Sequence, residues 1–313
     1  MNTKNCLITG GAGFIGGALA RKLASEGNTV HVIDLPDKIR QADSWLSEME
    51  VHPGDVSDPA TFSMLPESTW DEVYHLAAQT SARVSEEQPL LDIDTNTKGA
   101  LNICNWARRS RPGRVVFTSS MAVYGWSGDN IREDQNPKPV SVYGVTKLAS
   151  ENFFRILRED GIPTQVYRLF NVYGPGQDFF NLSQGMLSIY LAQALTKPEI
   201  LVTGALDRYR DFVYVDDVVA AIRLNAPEGS PWIMNVGNGR PVRVGELLEW
   251  IISSVAPWNP DVRVRQVESH RGDVFGNFAN TDALKAAGWK PSTDLASGLA
   301  ATVIDARKAL GCK

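Results

Sequence analysis

A glycine-rich stretch, Leu7–Gly16, constrains the fold of this 313-residue chain more than any other feature. The apolar run Cys6-Leu7-Ile8 before it predicts a strand that is buried on both faces. The glycines permit a tight turn after Thr9, and apolar residues at helical spacing follow at Ile15, Leu19 and Leu23. Such a turn lets the backbone approach an anion at the helix N-terminus, where free N–H groups carry partial positive charge.

The next predicted strand, Thr29–Ile33, supplies the context that a glycine pattern needs to indicate dinucleotide binding. Gly27 precedes this strand as a helix C-cap would, and Asp34 closes it. A carboxylate there accepts hydrogen bonds from an adenosine ribose and repels a 2′-phosphate. A glycine-rich surface turn is the alternative for the glycines alone. The strand, helix and acid together favour a bound dinucleotide, and NAD over NADP.

Strands and helices alternate through the first half of the chain, which predicts parallel strands joined by right-handed crossovers. We therefore expect an α/β fold with a doubly wound parallel (Rossmann) sheet and a smaller C-terminal α/β substrate domain. The domains are predicted as 1–170 and 171–313, with some later segments returning to the first. The predicted strands and long helices are Glu50–His52, Glu72–Leu76, Arg114–Thr118, Thr164–Phe170, Leu90–Arg108 and Tyr143–Glu159.

Charge and composition exclude several classes of partner. The net charge is −5 without a basic block, so nucleic acid is not an expected partner. No apolar run approaches the length of a membrane span, so no membrane association is expected. The three cysteines are far apart, which predicts no disulfide framework and a cytoplasmic location. The four histidines lack metal-ligand spacing; we expect no metal site, and His75 is interpreted as a core residue.

Tyr143 and Lys147 form a pair with helical i, i+4 spacing, so both side chains share one helix face. The ammonium and the positive charge of an oxidised nicotinamide would lower the pKa of the phenol and make it a general base. The same spacing also arises by chance. Its position after a strand that ends in Ser119-Ser120, inside a nucleotide-binding sheet, favours the catalytic interpretation.

Seven motifs occur in order along almost the whole chain, from Leu7 to about Pro291: TGGAGFIG, GDVSD, YHLAAQ, SSMAVYG, YGVTK, RLFNVYGPG and RDFVYVDD. Together they resemble the extended short-chain dehydrogenase/reductase family. Within it they resemble the NAD-dependent nucleotide-sugar epimerase/dehydratase group, of the UDP-glucose 4-epimerase type. The resemblance implies that the first domain binds NAD and the second binds a nucleotide-diphosphate sugar.

Site residues follow from the resemblance, position by position. Ser120, Tyr143 and Lys147 match the catalytic triad: Tyr143 as base, Lys147 on the nicotinamide ribose, and Ser120 on the reacting sugar oxygen. Tyr143 and Lys147 also count as cofactor-binding, and Ser120 and Tyr143 as substrate-binding. The other matched cofactor positions are Gly10, Gly13, Phe14, Ile15, Asp34, Asp55, Val56, Leu76, Ala77, Ala78 and Asn96.

Further residues are expected to bind the substrate. Asn171 and Arg210 match positions that hold the nucleotide diphosphate. His270 occupies the place of a family arginine and Arg271 follows it, so which of the two contacts the diphosphate stays open. The expected lining of the sugar pocket is Gln79, Ser81, Met121, Phe180 and Met186.

Met121 and Ala122 separate this chain from several reactions of the group. Sugar 4,6-dehydratases carry Asp-Glu there, sugar-acid decarboxylases carry Glu at the second position, and 3,5-epimerase/reductases carry Cys. Neither side chain here moves a proton. The expected function is therefore an NDP-hexose 4-epimerase. An NDP-sugar 4-dehydrogenase and a non-catalytic NAD-sensing regulator remain alternatives, the second disfavoured by the intact triad.

A homodimer is also expected from the resemblance. Relatives commonly pair through the two long helices here predicted over Leu90–Arg108 and Tyr143–Glu159, forming a four-helix bundle. Trp106 and Phe153-Phe154 are the expected apolar surface of that interface, and packing inside one subunit is the alternative for them.

Overall fold

The computed structural model describes residues 3–42, 44–125, 128–268 and 275–312. The strands are β1 Asn5–Thr9, β2 Thr29–Asp34, β3 Glu50–Pro53, β4 Glu72–His75, β5 Arg114–Ser120, β6 Thr164–Leu169, β7 Asn171–Tyr173, β8 Glu199–Thr203, β9 Tyr209–Arg210, β10 Phe212–Tyr214, β11 Ile233–Val236, β12 Val242–Arg243 and β13 Arg263–Val267.

The α-helices are α1 Phe14–Ser25, α2 Pro36–Gln41, α3 Ala60–Ser63, α4 Ala82–Glu87, α5 Pro89–Asp92, α6 Gly99–Ser110, α7 Val142–Glu159, α8 Met186–Thr196, α9 Val215–Arg223, α10 Val244–Val255, α11 Asp282–Ala286 and α12 Leu295–Leu310. Two 3₁₀ helices cover Ser44–Glu48 and Met121–Tyr124, and a π-helical turn covers Ile93–Lys98.

A seven-stranded parallel sheet is the centre of the fold, in the order β11-β6-β5-β4-β1-β2-β3. The order reverses between β1 and β4, and ligands bind at such a reversal in doubly wound sheets. Cys6, Leu7 and Ile8 in β1 are fully buried, as their continuous apolar run predicts. The predicted Rossmann fold is confirmed. The seventh strand, β11, comes from the later half of the chain.

The chain divides into two compact units. The first comprises Met1–Gly125, Pro137–Arg168 and Pro231–Met234, and the second Trp126–Asn136, Leu169–Ser230 and Asn235–Lys313. Each unit has its own apolar core. The core of the first packs residues such as Leu7, Trp70 and Phe117, and that of the second packs Tyr190, Leu247 and Leu299. The assignment of 1–170 to cofactor and 171–313 to substrate stays a prediction.

The helix that carries the Tyr-Lys pair, α7, begins where the sequence predicts. Ser141 caps it, because its hydroxyl accepts the Gly144 N–H at 3.1 Å. The predicted helix Leu90–Arg108 is instead α5, the π-helical turn and α6 in succession. A π turn inserts an extra residue into the helical repeat and turns the following side chains about the axis. In this chain that turn contains Asn96.

Trp106 and Phe154 do not supply an intersubunit surface. Both are buried in the core of the first unit, where Trp106 packs edge-on against Trp70 and Phe154 stacks on Phe117. Cys6, Cys104 and Cys312 are all free thiols. Over the described ranges, every helix is too short or too polar to cross a membrane.

Candidate active site

The glycine-rich turn forms a narrow cradle between the ends of β1 and β4. Gly10 has φ +74°, a left-handed conformation that favours glycine. A Cβ at Gly10 would lie 2.6 Å from the Ala77 amide nitrogen. The Gly10 N–H donates to the Ile33 carbonyl at 2.8 Å, which ties the turn to β2. Gly13 then caps α1 without a side-chain hydrogen bond, so the first turn of the helix presents backbone N–H groups.

Asp34 at the end of β2 binds the same turn. Its two carboxylate oxygens accept the Ala12 N–H at 2.9 Å and the Leu35 N–H at 2.8 Å. Burial raises the pKa of Asp34, and these two N–H donors oppose that effect. Asp55 closes a turn by accepting the Ser57 N–H at 2.8 Å, while the adjacent Val56 is buried.

The end of β4 lies against the glycine turn through Thr9. The Leu76 N–H donates to the Thr9 carbonyl at 3.1 Å, and the Ala77 N–H donates to the Thr9 hydroxyl at 3.3 Å. That hydroxyl also lies 2.8 Å from His75 Nδ1. Burial lowers the pKa of His75 to about 3, so the ring is neutral at pH 7. His75 is a core residue, as the sequence indicates.

Asn96 holds the loop that follows β4. Its side-chain oxygen accepts the Gln79 N–H at 2.9 Å, and its Nδ2 donates to the Gln79 carbonyl at 3.0 Å. Nδ2 also reaches the Thr146 hydroxyl of α7 at 3.2 Å. Asn96 therefore joins the loop after β4, at Gln79, to the helix that carries Tyr143. Its predicted contact with the cofactor stays a prediction.

The Ser120 side chain lies beside the Tyr143 phenol, close enough to influence its pKa. Tyr143 is 9% exposed, and burial raises its pKa to about 12. The Ser120 side chain lowers that pKa, and the Asp92 carboxylate raises it further. The pKa of Tyr143 was expected to be lowered by the neighbouring ammonium. In the structure it is raised instead, because burial is the largest effect. Tyr143 is thus protonated at pH 7 unless further positive charge enters the site.

Lys147 lies one turn along the same face of α7 and is 3% exposed. Its Nζ donates to the Thr118 carbonyl of β5 at 2.9 Å and lies 4.7 Å from the centre of the Phe117 ring. Burial lowers the pKa of Lys147 to about 8, against the raising effect of Asp92 and Glu151. These contacts fix the ammonium beside the end of β5, where Ser120 lies.

A buried ion pair continues the same helix face. Glu151 accepts two hydrogen bonds from Arg168 of β6, from Nε at 2.9 Å and from an Nη at 2.7 Å. The Ser119 hydroxyl donates to the same carboxylate. The Arg168 guanidinium lies 4.6 Å from the centre of the Tyr124 ring. The pair therefore anchors α7 to β5 and β6.

In the second unit, Asn171 and Arg210 are held by backbone contacts. The Asn171 Nδ2 donates to the Asp211 carbonyl at 2.9 Å. Arg210 is 8% exposed and donates to the Tyr209 and Phe275 carbonyls at 2.8 and 3.2 Å. Asp211 accepts three backbone N–H groups, from Asn238, Gly239 and Ala279, and so fixes the segment between them.

The residues expected to line the sugar pocket differ in their surroundings. Ser81 is buried and caps α4, and its N–H donates to the Gln79 side chain at 2.6 Å. Gln79 also contacts Asp92. Met121 starts a 3₁₀ helix and is partly exposed. Phe180 is 72% exposed, and Met186 packs on the core of the second unit. Arg271 and His270 lie outside the described residues.

A sequence profile for the NAD dependent epimerase/dehydratase family matches residues 6–237. The chain belongs to this family. The UDP-glucose 4-epimerase of Mycolicibacterium smegmatis is 32% identical over 307 residues, covering 95% of this chain and 96% of the relative. UDP-glucuronic acid decarboxylase 5 of Arabidopsis thaliana is 30% identical over 336 residues, covering 99% and 93%. The UDP-glucose 4-epimerase of Thermotoga maritima, solved with UDP-glucose, has a TM-score of 0.88 at 30% identity, covering 98% and 99%.

NAD is the cofactor of this family, and the geometry at β1 fits it. The cradle at Gly10 is closed to a side chain by Ala77, which leaves backbone alone facing the pyrophosphate position. The first turn of α1 contains no acidic residue that would repel phosphate. Asp34 keeps lone pairs for ribose hydroxyls beyond its two backbone hydrogen bonds.

Three groups that shape the site were not predicted from the sequence. Asp92 and Thr146 form part of the network around Asn96, and the Glu151–Arg168 pair anchors α7. Glu151 could have been predicted from the sequence, because it follows Lys147 by four residues and so lies on the same helix face. Asp92 could not have been predicted in this way, because it reaches the network only through the packing of α5 against α7.

Proposed function

We propose that the chain is an NAD-dependent nucleotide-sugar 4-epimerase that acts on a nucleoside-diphosphate hexose. The observation that carries this proposal is the grouping of Ser120 with the buried side chains of Tyr143 and Lys147 at the end of β5, next to Met121 and Ala122. The triad suits proton and hydride transfer at a sugar hydroxyl. Met121 and Ala122 offer no acid or base for elimination or decarboxylation. The two 4-epimerases among the relatives described above support the same reaction.

Bound NAD supplies a hydride acceptor and, in its oxidised form, the positive charge that favours a phenolate at Tyr143. Tyr143 takes the proton of the sugar 4-hydroxyl at its Oη as C4 loses hydride and becomes a ketone. Ser120 hydrogen-bonds the same sugar oxygen throughout. When the ketone is reduced on its opposite face, Tyr143 returns the proton to the oxygen, so no net oxidation occurs. Lys147 stabilises the phenolate and binds the cofactor ribose.

The nucleotide half of the substrate is assigned to the second unit. We propose that Asn171 and Arg210 bind the diphosphate, together with Arg271 or His270. A guanidinium suits a phosphate because its planar donors contact two oxygens at once. The carbonyl contacts of Arg210 hold its guanidinium in place. The UDP-sugar activities named for the relatives favour uridine as the base.

The assembly and location are proposed on separate observations. We propose a homodimer through α5, α6 and α7, where large apolar side chains are exposed: Leu90 73%, Leu91 45%, Ile93 44%, Leu101 37%, Val145 53% and Ile156 38%. A second copy of the same helices would cover this face by an isologous contact. The free thiols of all three cysteines support a cytoplasmic location. The proposed reaction on a nucleotide sugar implies a role in carbohydrate biosynthesis.

Tyr143→Phe tests the assigned reaction. Loss of the phenolic oxygen is expected to reduce kcat by about 10²–10⁴-fold, because the proton acceptor is gone. NAD binding, measured by calorimetry, should stay near that of the unmodified chain. Tyr214→Phe in the second unit serves as the control and should keep kcat. Near-normal turnover by Tyr143→Phe would refute the role of Tyr143 as base.

A further inference from the structure

Asp92, at the end of α5, is a fully buried carboxylate with 0% exposure, outside every motif that assigns the site. One of its oxygens accepts a hydrogen bond from the Gln79 side-chain amide. The other accepts from the Thr146 hydroxyl. Gln79 belongs to the loop after β4, and Thr146 lies three residues after Tyr143 on α7. Asp92 therefore joins the cofactor side of the site to the helix of the proposed base.

The contacts of Asp92 belong to a closed network. Thr146 accepts the Asn96 Nδ2–H at 3.2 Å, and Asn96 binds both the N–H and the carbonyl of Gln79. The Tyr143 backbone is itself held, since its N–H donates to the Ser85 hydroxyl at 3.2 Å. A change in the position of α7 thus requires breaking several buried hydrogen bonds at once.

The charges around Lys147 single out Asp92 as well. Glu151 on α7 is paired with Arg168 of β6, and its charge raises the pKa of Lys147 less than the charge of Asp92 does. His75 of β4 is neutral, and β5 contributes the Thr118 carbonyl and the Phe117 ring. Gln79 and Thr146, the partners of Asp92, are neutral. Among these described groups Asp92 is thus the carboxylate without a cationic partner, and its charge raises the pKa of Tyr143 and of Lys147.

We propose that Asp92 is a positioning residue of the active site: its carboxylate fixes α7 against the loop after β4 and supplies the negative charge that balances Lys147. This inference rests on the proposed function and adds to it a balance of charge. By raising the pKa of Lys147, Asp92 keeps this buried side chain cationic. It also raises the pKa of Tyr143, which makes the phenol less acidic. The cationic form is the one that stabilises a phenolate.

Two variants separate the charge of Asp92 from its contacts. Asp92→Asn keeps the shape of the side chain and removes its charge, so the pKa of Tyr143 should fall. The acid limb of the kcat–pH profile should therefore move to lower pH by about 0.5–1 pH unit. Thr146→Val keeps the charge and removes the contact, so kcat should fall at every pH with the limb unmoved. Asp94→Asn is the matched control. Asp94 lies two residues away and is exposed, and its removal should leave kcat and the limb unchanged.

A second readout does not depend on activity. Lys147 has its pKa lowered to about 8 by burial, so the folded chain binds fewer protons than the unfolded chain above that pH, and stability rises with pH. Asp92→Asn should lower the pKa of Lys147 further, so the rise of stability with pH should begin at a lower pH. The Tm of Asp92→Asn should therefore rise between pH 7 and 9 by about 2 °C more than that of the unmodified chain.

The two readouts keep this inference apart from the proposed function. If no nucleotide sugar is turned over but the extra Tm rise is present, the reaction is wrong and the role of Asp92 stands. An Asp92→Asn profile with an unmoved acid limb and no extra Tm rise overturns the inference. So does an equal shift in Asp94→Asn, or an unchanged kcat in Thr146→Val.

Discussion

Gly10 and Gly27 have similar left-handed backbones, with φ +74° and +82°, but different surroundings. A Cβ at Gly10 would meet the Ala77 backbone at 2.6 Å, whereas a Cβ at Gly27 would meet nothing within 4 Å. Gly27→Ala is therefore expected to cost only the conformational term, about 1 kcal/mol. Gly10→Ala should cost about 2–3 kcal/mol more, because the turn must also move.

The measurement for this pair is chemical unfolding together with calorimetric titration of NAD. Gly10→Ala should weaken NAD binding at least tenfold, while Gly27→Ala should leave it unchanged. Equal NAD affinity in the two variants would contradict the role of Gly10 in the cofactor cradle.

The spacing and burial of single side chains also explain which candidate residues could be predicted from the sequence. Tyr143 and Lys147 could be found because a helix face follows from spacing, and the structure places Ser120 beside them. The raised pKa of Tyr143 could not be foreseen, since burial depends on how β5, α5 and α7 pack. Asn96 matched a family position, but the π turn that directs it to Gln79 leaves no pattern in the sequence.

Two ion pairs on α7 allow a test of what holds this helix in place. Glu151–Arg168 is buried, with side chains 3–4% exposed, and Arg155–Glu159 is a surface i, i+4 pair. Arg168→Met leaves Glu151 buried and unpaired, which should cost about 3–5 kcal/mol of unfolding free energy. Arg155→Met should cost less than about 0.5 kcal/mol. Urea unfolding compares them, and similar losses would contradict the anchoring role of Arg168.

The histidines of β2 and β3 predict a pH dependence for that edge of the sheet. His31 Nδ1 and His52 Nε2 lie 2.9 Å apart, a contact that requires at least one neutral ring. Burial lowers the pKa of both, so their stabilising effect is complete above the unfolded pKa near 6.5 and is lost as pH falls below it. His52→Gln should reduce the loss of unfolding free energy between pH 7 and 5, as measured by chemical unfolding at the two pH values. An unchanged pH slope would contradict the pair's contribution.

At the level of the secondary-structure elements, strands such as β1 and β5 could be predicted because buried parallel strands contain short continuous apolar runs. The role of β11 was not predictable in this way. Its residues Ile233–Val236 look like a strand, but pairing beside β6 is a long-range choice that local pattern does not encode. The buried positions of Trp106 and Phe154 illustrate the same limit, since apolar residues on a helix can face a core or a partner.

At the scale of the whole molecule, the exposed apolar face of α5–α7 predicts the oligomeric state. Ile156→Glu places a charge on this face and should convert the proposed dimer into a monomer, as measured by size-exclusion chromatography with light scattering. Ile304→Glu is the matched control, because Ile304 is 68% exposed on α12 of the second unit. A monomeric unmodified chain at micromolar concentration would contradict the dimer, as would equal effects of the two variants.

The most direct test of the proposed 4-epimerase is NMR of UDP-glucose incubated with the purified chain and NAD, with absorbance at 340 nm followed in parallel. The expected result is the C4 epimer, UDP-galactose, without lasting absorbance at 340 nm, because hydride returns to the same sugar carbon. GDP- and dTDP-hexoses in the same assay identify the base. A lasting 340 nm signal with a keto sugar as product would contradict epimerisation and establish a 4-dehydrogenase. No change in any sugar of the panel would contradict the proposed reaction as a whole.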